Sequence, residues 1–398
     1  MKYIIVFFLS IYSLGNTTVA QNNPEGFFSS ESKSIVIGNE IIVSIKKYNA
    51  TDEQLKKLTN KKSSKEMTYL DLPIDATNIS LNSRDFESML YCFDMEGKIK
   101  WEKSIGFSKF SWAAPITTDS TFSYVGEALS DDKAQILKID SNGNVVWKKE
   151  IDSVQVINAI HFSNNKLVAL SSFEVNRKKE SVDKKSFSYH TFPVYFHLEI
   201  NEKDGSVINN EYQHMANYMS SLGFSNPYIA SDYSYYLNNK DSVVYFNINQ
   251  QKSATVVSQG MPKDCKVQQV IATENSNHYV TLSRNENQKP IIQLFTDYYT
   301  INKKYNIELN VTNTSNSFPR YFLINNKPTS VAALICFENK VNIFMVDNAG
   351  KITSTETPNL KINDIVTSVG VVMDQLYSVQ VNGRETLGKK GQLSIKYY

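Results

Sequence analysis

A phrase of strand, tight turn and strand returns about every fifty residues, and nothing else in the chain restricts its fold so strongly. The first clear copy is Met89-Leu-Tyr-Cys-Phe-Asp94-Met-Glu-Gly97-Lys-Ile-Lys-Trp101. The second is Ile136-Leu-Lys-Ile-Asp140-Ser-Asn-Gly143-Asn-Val-Val-Trp147. A third, Ile343-Phe-Met-Val-Asp347-Asn-Ala-Gly350-Lys-Ile, has Ser354 where Trp would fall. The chemistry of the turn is legible: an Asp carboxylate accepts from nearby backbone amides, and Gly takes a positive φ at little cost. Weaker copies keep the strand and lose part of the turn. They end at Asn201 (with Gly205, one residue longer), Asn249 and Asp297. The markers at 94, 140, 201, 249, 297 and 347 are separated by 46, 61, 48, 48 and 50 residues. The long step holds a charged run, Arg177 to Lys185.

Another strand pair precedes each marker, as in Lys166–Phe173, His278–Ser283, Ser330–Phe337 and Asp374–Val379. Four strands per copy at a period near fifty predicts an all-β fold, a β-propeller of about seven four-stranded blades. One period past Asp347 reaches the C-terminal Gln392–Tyr398, which reads as the third strand of the last blade. Its fourth strand is expected from Glu25–Ser29, so that N- and C-terminal strands close the ring and leave no open edge. The 23 Tyr and 21 Phe suit half-buried pleated surfaces. The one helical candidate is Thr51–Asn60, where Thr51 and Gln54 form a capping-box pattern.

The start of the chain carries a secretory pattern. Met1-Lys2 precedes an uncharged apolar run, Tyr3–Leu14, and Thr18 and Ala20 are small residues where a signal peptidase reads. The run is about 12 residues against about 20 for a membrane span, so residues 1–20 are expected to be a signal peptide cleaved after Ala20. Residues 21–398 then form a single domain with insertions at 48–87 and 174–190, secreted or held in the periplasm or cell envelope, with no transmembrane segment. The 42 basic and 40 acidic side chains nearly cancel, which removes the long-range field that nucleic acid binding uses. A monomer is expected. Of three cysteines, Cys92 and Cys336 lie in apolar strand patterns and read as buried thiols.

Strand-Asp-x-x-Gly-(Lys/Asn)-(Ile/Val)-x-Trp resembles the PQQ-like propeller repeat of exported bacterial proteins. Asp94–Trp101 and Asp140–Trp147 carry the resemblance fully, and Asp347–Ile352 in part. It implies structural roles for Asp94, Gly97, Trp101, Asp140, Gly143, Trp147, Asp347 and Gly350, with both tryptophans packing between blades. It does not imply the quinone cofactor: no two cysteines are neighbours, Trp recurs only twice, and the blade count falls short of eight. No cofactor is therefore expected.

No motif for chemistry stands out. The five histidines form no HxH or HExxH spacing, and no GxSxG, P-loop or calcium-loop pattern occurs, so no metal is expected and catalytic residues are unknown. His161 and His197, in or beside strands, read as structural. Both insertions fall between second and third strands of their copies. In a propeller they share a face with the starts of the inner strands, near Trp112, Tyr218 and Arg320, which become the candidate binding residues. Lys178, Lys179, Lys184 and Lys185 read as a solvated loop. The expected function is non-catalytic binding or scaffolding of a protein or glycan. The competing reading is a glycan hydrolase or lyase with a dispersed site at the channel mouth, which convergent carboxylates there would favour.

Overall fold

The structure is a computed structural model. It describes residues 23–48, 86–108, 112–130, 132–163, 166–180, 187–212, 225–231, 234–239, 242–247, 252–255, 266–272, 278–284, 290–296, 303–308, 320–327, 330–337, 340–347, 351–356, 364–382 and 390–398. Residues 1–20, the 49–85 part of the first insertion, the helical candidate Thr51–Asn60, Cys265, Tyr218, Asn249, Asp297 and Gly350 lie outside them. Among the described residues there is no helix; every regular element is a strand.

Strands β1 (Glu25–Ile37), β2 (Glu40–Tyr48), β3 (Phe86–Phe93) and β4 (Ile99–Ser108) are followed by β5 (Ile116–Thr118), β6 (Ser123–Ala128), β7 (Lys133–Ile139) and β8 (Val145–Asp152). Next come β9 (Val156–Ser163), β10 (Lys166–Glu180), β11 (Phe187–Ile200) and β12 (Val207–Tyr212). The quartets β13 (Ser225–Ser231) to β16 (Lys252–Thr255) and β17 (Lys266–Ala272) to β20 (Lys303–Glu308) follow in the same order. The last seven are β21 (Arg320–Lys327), β22 (Ser330–Phe337), β23 (Lys340–Asp347), β24 (Ile352–Glu356), β25 (Ile365–Val372), β26 (Gln375–Asn382) and β27 (Gly391–Tyr397). They form five four-stranded sheets and one seven-stranded sheet, ordered β25-β26-β27-β1-β2-β3-β4, with antiparallel pairing throughout.

Strand β1 explains the odd sheet. Its start pairs with β27 through Glu25↔Gln392 and Gly26↔Gly391, and the Leu393 amide donates to Pro24 O at 3.0 Å. Strand β1 then pairs with β2, first through Phe27↔Tyr48 and Phe28↔Lys47 and, after an irregularity between Phe28 and Ser32, from Ser32↔Ile45 to Ile37↔Glu40. Phe28 anchors the crossing, buried against Tyr91 in an edge-on contact. A chain of hydroxyls joins β1 to β25: Ser32 Oγ lies 2.8 Å from Thr367 Oγ1 and donates to Ser368 Oγ at 2.7 Å, while Tyr377 donates to Ser34 Oγ at 3.0 Å.

The core lies between successive sheets. Leu90 and Ile105 of one sheet pack with Val125, Leu137 and Ile139 of the next. Tyr124, Ala134 and Ile136 pack in turn with Ile157, Leu167, Ala169 and Leu198. Cys92 and Cys336 are buried free thiols.

The recurring turns are built as their residues dictate. Asp94 Oδ1 accepts from the amides of Glu96 (2.9 Å) and Lys98 (2.8 Å), and Gly97 has φ 74°. Asp140 Oδ1 accepts from Asn142 (2.9 Å) and Asn144 (2.8 Å), and Gly143 has φ 82°. The longer third turn divides the work between Asn201, which accepts from the Lys203 amide, and Asp204, which accepts from Ser206; Gly205 has φ 73°. Three residues past each Gly the outer strand bulges. Cys92 pairs with Trp101 and Phe93 with Ile99, leaving Lys100 unpaired in the ladder. Val146 and Ile208 are skipped in the same way. The bulge turns the next side chain toward the following sheet. Thus Trp101 Nε1 donates to Ser141 O at 2.8 Å, and Trp147 Nε1 to Glu202 O at 3.0 Å. The rings lie flat on glycines: an added Cβ at Gly143 would sit 2.8 Å from Trp101 Cδ2, and one at Gly205 2.7 Å from Trp147 Cε3. The β23–β24 hairpin after Asp347 has Ser354 in the Trp position and pairs Met345↔Thr353 and Val346↔Ile352 without a bulge.

One expectation is corrected. The 174–190 insertion is not a solvated loop over most of its length: β10 runs through Glu180 and β11 resumes at Phe187, with unbroken pairing from Leu167↔Ile200 to Glu180↔Phe187. Charge misled the reading, since strand pairing is made by the backbone and basic residues such as Arg177, Lys178 and Lys179 do not prevent it. Only 181–186, which holds Lys184 and Lys185, lies outside the described residues.

Candidate functional site

The ends of β2, β3, β4 and β6 converge where the first insertion leaves and rejoins the sheet. Tyr48 closes β2 and Phe86 opens β3, paired directly. Two residues inside this base lies a buried polar cluster. Lys46 is 1% exposed, and its Nζ reaches both carboxylate oxygens of Glu127 at 2.8 Å, Glu127 itself being 3% exposed on the neighbouring sheet. The same Nζ donates to Ser88 Oγ, and the Ala128 amide donates to Glu127 Oε1 at 2.9 Å. Burial pushes the Lys46 pKa down, and the Glu127 carboxylate opposes that shift. The lysine is therefore committed to an ion pair between sheets. Glu127 faces Gln135 across the β6–β7 ladder, and Gln135 Nε2 donates to Ile105 O at 2.7 Å.

Two large apolar side chains at and after the end of β4 meet solvent. Phe107, near the end of β4, is 45% exposed, and Trp112, between β4 and β5, is 44% exposed. Trp112 is thus not a core residue. Arg320 opens β21, paired with Cys336, whereas Trp112 lies in the connection from β4 to β5. Trp112 and Arg320 thus precede or open strands of different sheets, and Tyr218 lies outside the described residues.

The repeat residues do structural work at the opposite ends of the strands. Besides the Trp–turn contacts, Lys138 Nζ lies 4.1 Å from the Phe122 ring centroid and donates to Glu202 Oε2 at 2.9 Å. Tyr397 donates to Asp94 O at 3.3 Å, so a C-terminal tyrosine meets the first turn. On the first strands of the sheets, the described titratable groups include Glu25, Glu31 and Lys33, the last two ion-paired at 2.9 Å, and His161, with Asp364 immediately before β25. His197 is buried on β11. Among the described residues no group of three or more His, Cys, Asp or Glu is placed to hold a metal ion.

The sequence reading missed the Lys46–Glu127 pair. A lone charge inside an apolar strand (Ile41-Ile-Val-Ser-Ile-Lys46, Tyr124-Val-Gly-Glu127) is its signal. That signal says a partner must exist without saying which, because the two residues are 81 positions apart.

No protein-family model and no curated protein matches the sequence. Solved structures match in shape at very low identity. The Pyrococcus horikoshii acylaminoacyl peptidase is 11% identical, with a TM-score of 0.51 over 94% of this chain and 51% of that one. An uncharacterised protein of Listeria monocytogenes EGD-e is 10% identical, with a TM-score of 0.38 over 92% and 96%. A structure from the nidogen/laminin complex is 9% identical, with a TM-score of 0.37 over 70% and 98%. The chain spans about half the length of the peptidase, whose propeller-type fold is the one of these three that superposes well enough to bear on architecture. With the stacked four-stranded antiparallel sheets, it defines a β-propeller-like all-β protein. No helix among the described residues is long and apolar enough to cross a membrane.

Proposed function

We propose that this is an exported seven-bladed β-propeller with a PQQ-like repeat, serving as a binding or scaffolding protein without catalysis. Its partner is a protein or glycan engaged through one loop-rich face. The division of β1 supports the blade count. From Phe27 on it completes a quartet with β2–β4, and its first two residues, Glu25 and Gly26, complete one with β25–β27, which with the five separate sheets makes seven fours. The β1–β27 pairing and the hydroxyl chain to β25 support closure of the ring by the termini. The Trp-on-turn contacts support the repeat assignment.

The observation that carries the binding reading is the exposure of Phe107, near the end of β4, and of Trp112 in the connection that follows it. Exposed aromatic groups on loops held by a rigid scaffold are a common basis for recognition. In a propeller the β2–β3 and β10–β11 connections share a face with Trp112, Tyr218 and Arg320. The test is binding of the protein lacking residues 1–20 to glycan arrays and envelope extracts, compared with Trp112→Ala/Phe107→Ala and Arg320→Ala. Loss in these variants with unchanged melting is expected. Undiminished binding in all of them refutes the assignment to this face. Export is tested separately by the intact mass of secreted material, expected to begin at Gln21.

A further inference from the structure

The turn between β7 and β8 carries the dipeptide Asn142-Gly143. A carboxamide followed by glycine is the pair most open to cyclisation, because glycine has no Cβ to hinder its own nitrogen when that nitrogen turns on the preceding side chain. The residue before the turn glycine is Glu96 in the first copy and Asp204 in the third, so Asn142 is the one carboxamide among the three. It is also exposed, as are Ser141 and Asn144. Asn382-Gly383 is the second such pair in the chain, but there the carboxamide nitrogen of Asn382 donates to Ser394 Oγ at 2.5 Å.

The fold ties up the attacking group. The Gly143 amide donates to Asp140 O at 3.0 Å, and the amides on either side, of Asn142 and Asn144, donate to Asp140 Oδ1 at 2.9 and 2.8 Å. Gly143 is buried although its neighbours are not. Its cover is the indole of Trp101 on β4, whose Cδ2 would lie 2.8 Å from a Cβ built there. The same indole donates to Ser141 O at 2.8 Å, so the ring holds the peptide before Asn142 and covers the glycine after it. For the Gly143 nitrogen to reach Asn142 Cγ, its peptide must rotate out of the turn. That rotation breaks the bond to Asp140 O and works against a ring already in contact. Local opening of this kind costs free energy and slows any reaction that requires it.

We propose that Asn142 is a deamidation site sealed by the Trp101 contact, so that the junction of β4 with the β7–β8 turn controls its rate. In the reaction a bond forms from Gly143 N to Asn142 Cγ, and the Cγ–Nδ2 bond breaks to release ammonia. Water then opens the imide ring on one side or the other, leaving aspartate or isoaspartate at 142. Isoaspartate carries the backbone through Cβ and Cγ and adds one carbon–carbon bond, about 1.5 Å. The hydrogen bonds of the turn do not survive a displacement of that size. Modification is therefore one-way: it removes the turn on which Trp101 rests and keeps open the junction that had sealed the site.

The test is incubation of the protein lacking residues 1–20 in mildly alkaline buffer, folded and in unfolding urea. Peptide mass mapping reads the replacement of nitrogen by oxygen, and fragmentation separates isoaspartate from aspartate. Deamidation at Asn142 is expected to run at least about tenfold slower in the folded protein. Trp101→Ala should recover much of that difference under folding conditions and leave the rate in urea unchanged. Equal rates for the folded and unfolded parent overturn the sealing, and this comparison stands even if Trp101→Ala does not fold. A folded rate untouched by Trp101→Ala overturns the role given to the ring. Parent protein aged in urea and returned to buffer should melt lower in proportion to its isoaspartate at 142, whereas Asn142→Gln treated alike should melt as before. Unchanged melting of the aged parent overturns the damage to the junction, and an equal loss in Asn142→Gln overturns the assignment to Asn142.

Discussion

Replacing Trp147 with Ala removes a half-buried ring and an indole hydrogen bond from the contact between two sheets. An aromatic side chain buries about 150–250 Å² when fully covered. Trp147 is intermediate in exposure, so about 100 Å² is at stake, or about 2.5 kcal/mol at about 25 cal/mol per Å². The lost bond to Glu202 O adds about 1 kcal/mol. The expected loss is therefore about 3.5 kcal/mol, in the lower part of the range of about 3–5 kcal/mol for a wholly buried Trp. Gly205 supplies the internal check. At φ 73° an alanine costs about 1 kcal/mol from backbone alone, and its methyl would meet the indole at 2.7 Å, adding about 1–3 kcal/mol of overpacking. Once the ring is gone, only the backbone cost remains. Urea unfolding of Trp147→Ala, Gly205→Ala and the double variant should thus show a coupling of about 1–3 kcal/mol, the double losing less than the sum. A single loss for Trp147→Ala under about 1 kcal/mol, or additivity within about 0.5 kcal/mol, would refute the stacking of ring on turn as a source of stability.

Lys46→Met should cost about 3–5 kcal/mol by leaving the Glu127 carboxylate buried and unpaired. Lys46→Met/Glu127→Leu should recover most of that loss in the same unfolding assay; no recovery would mean the ion pair is not the cause. Stability should also fall in alkali. Burial, with the Glu40 carboxylate second, pushes the Cys92 thiol up to about 12 from 9.0, and burial pushes the Tyr377 hydroxyl up to about 12 from 10.0. The unfolded chain then holds fewer protons than the folded one between about pH 9 and 12, so stability declines across that window. Denaturation at pH 7, 9 and 10.5 checks the slope, and Cys92→Ala should remove its earliest part. Finally, Glu25→Cys/Gln392→Cys should form an intrachain disulfide, visible as faster migration on a non-reducing gel. Exclusively intermolecular crosslinks would oppose closure by the chain's own termini.

Much of the fold was legible because its determinants are local. Asp94, Gly97, Asp140 and Gly143 specify a turn by their own hydrogen bonding and φ preference, and the apolar strands on either side specify a sheet. The period between turns is then a direct readout of how many strands each unit holds. The pairing of Glu25 with Gln392 was inferable for a different reason: counting strands left one quartet short at the C-terminus, and an unpaired edge is costly enough to make a search for its partner worthwhile. Gly26 and Gly391 give no side-chain signal of that pairing, and the burial of Phe28 supplies the anchoring that the two-rung ladder lacks.

The candidate site was less legible because it depends on what the sheets bring together. Lys46 and Glu127 each break an apolar strand, and only the packing of one sheet on the next makes them a pair. The bulge at Lys100, Val146 and Ile208 has no residue signature of its own, being hydrophilic in one copy and apolar in two. Yet it sets whether the following side chain reaches the next turn. The hairpin of β10 and β11 failed in the opposite direction. Its charges looked like a loop because strand periodicity in the sequence is detected through an alternation of apolar and polar residues, and the backbone pairing that makes a hairpin does not itself require that alternation. A run such as Arg177-Lys-Lys179 inside an insertion is therefore as compatible with a strand as with a loop. What separates the two is the continuation of pairing partners on the far side of the turn, here Phe187 to Pro193, with β-favouring Phe187, Tyr189, Thr191 and Phe192 placed where a loop would have no use for them.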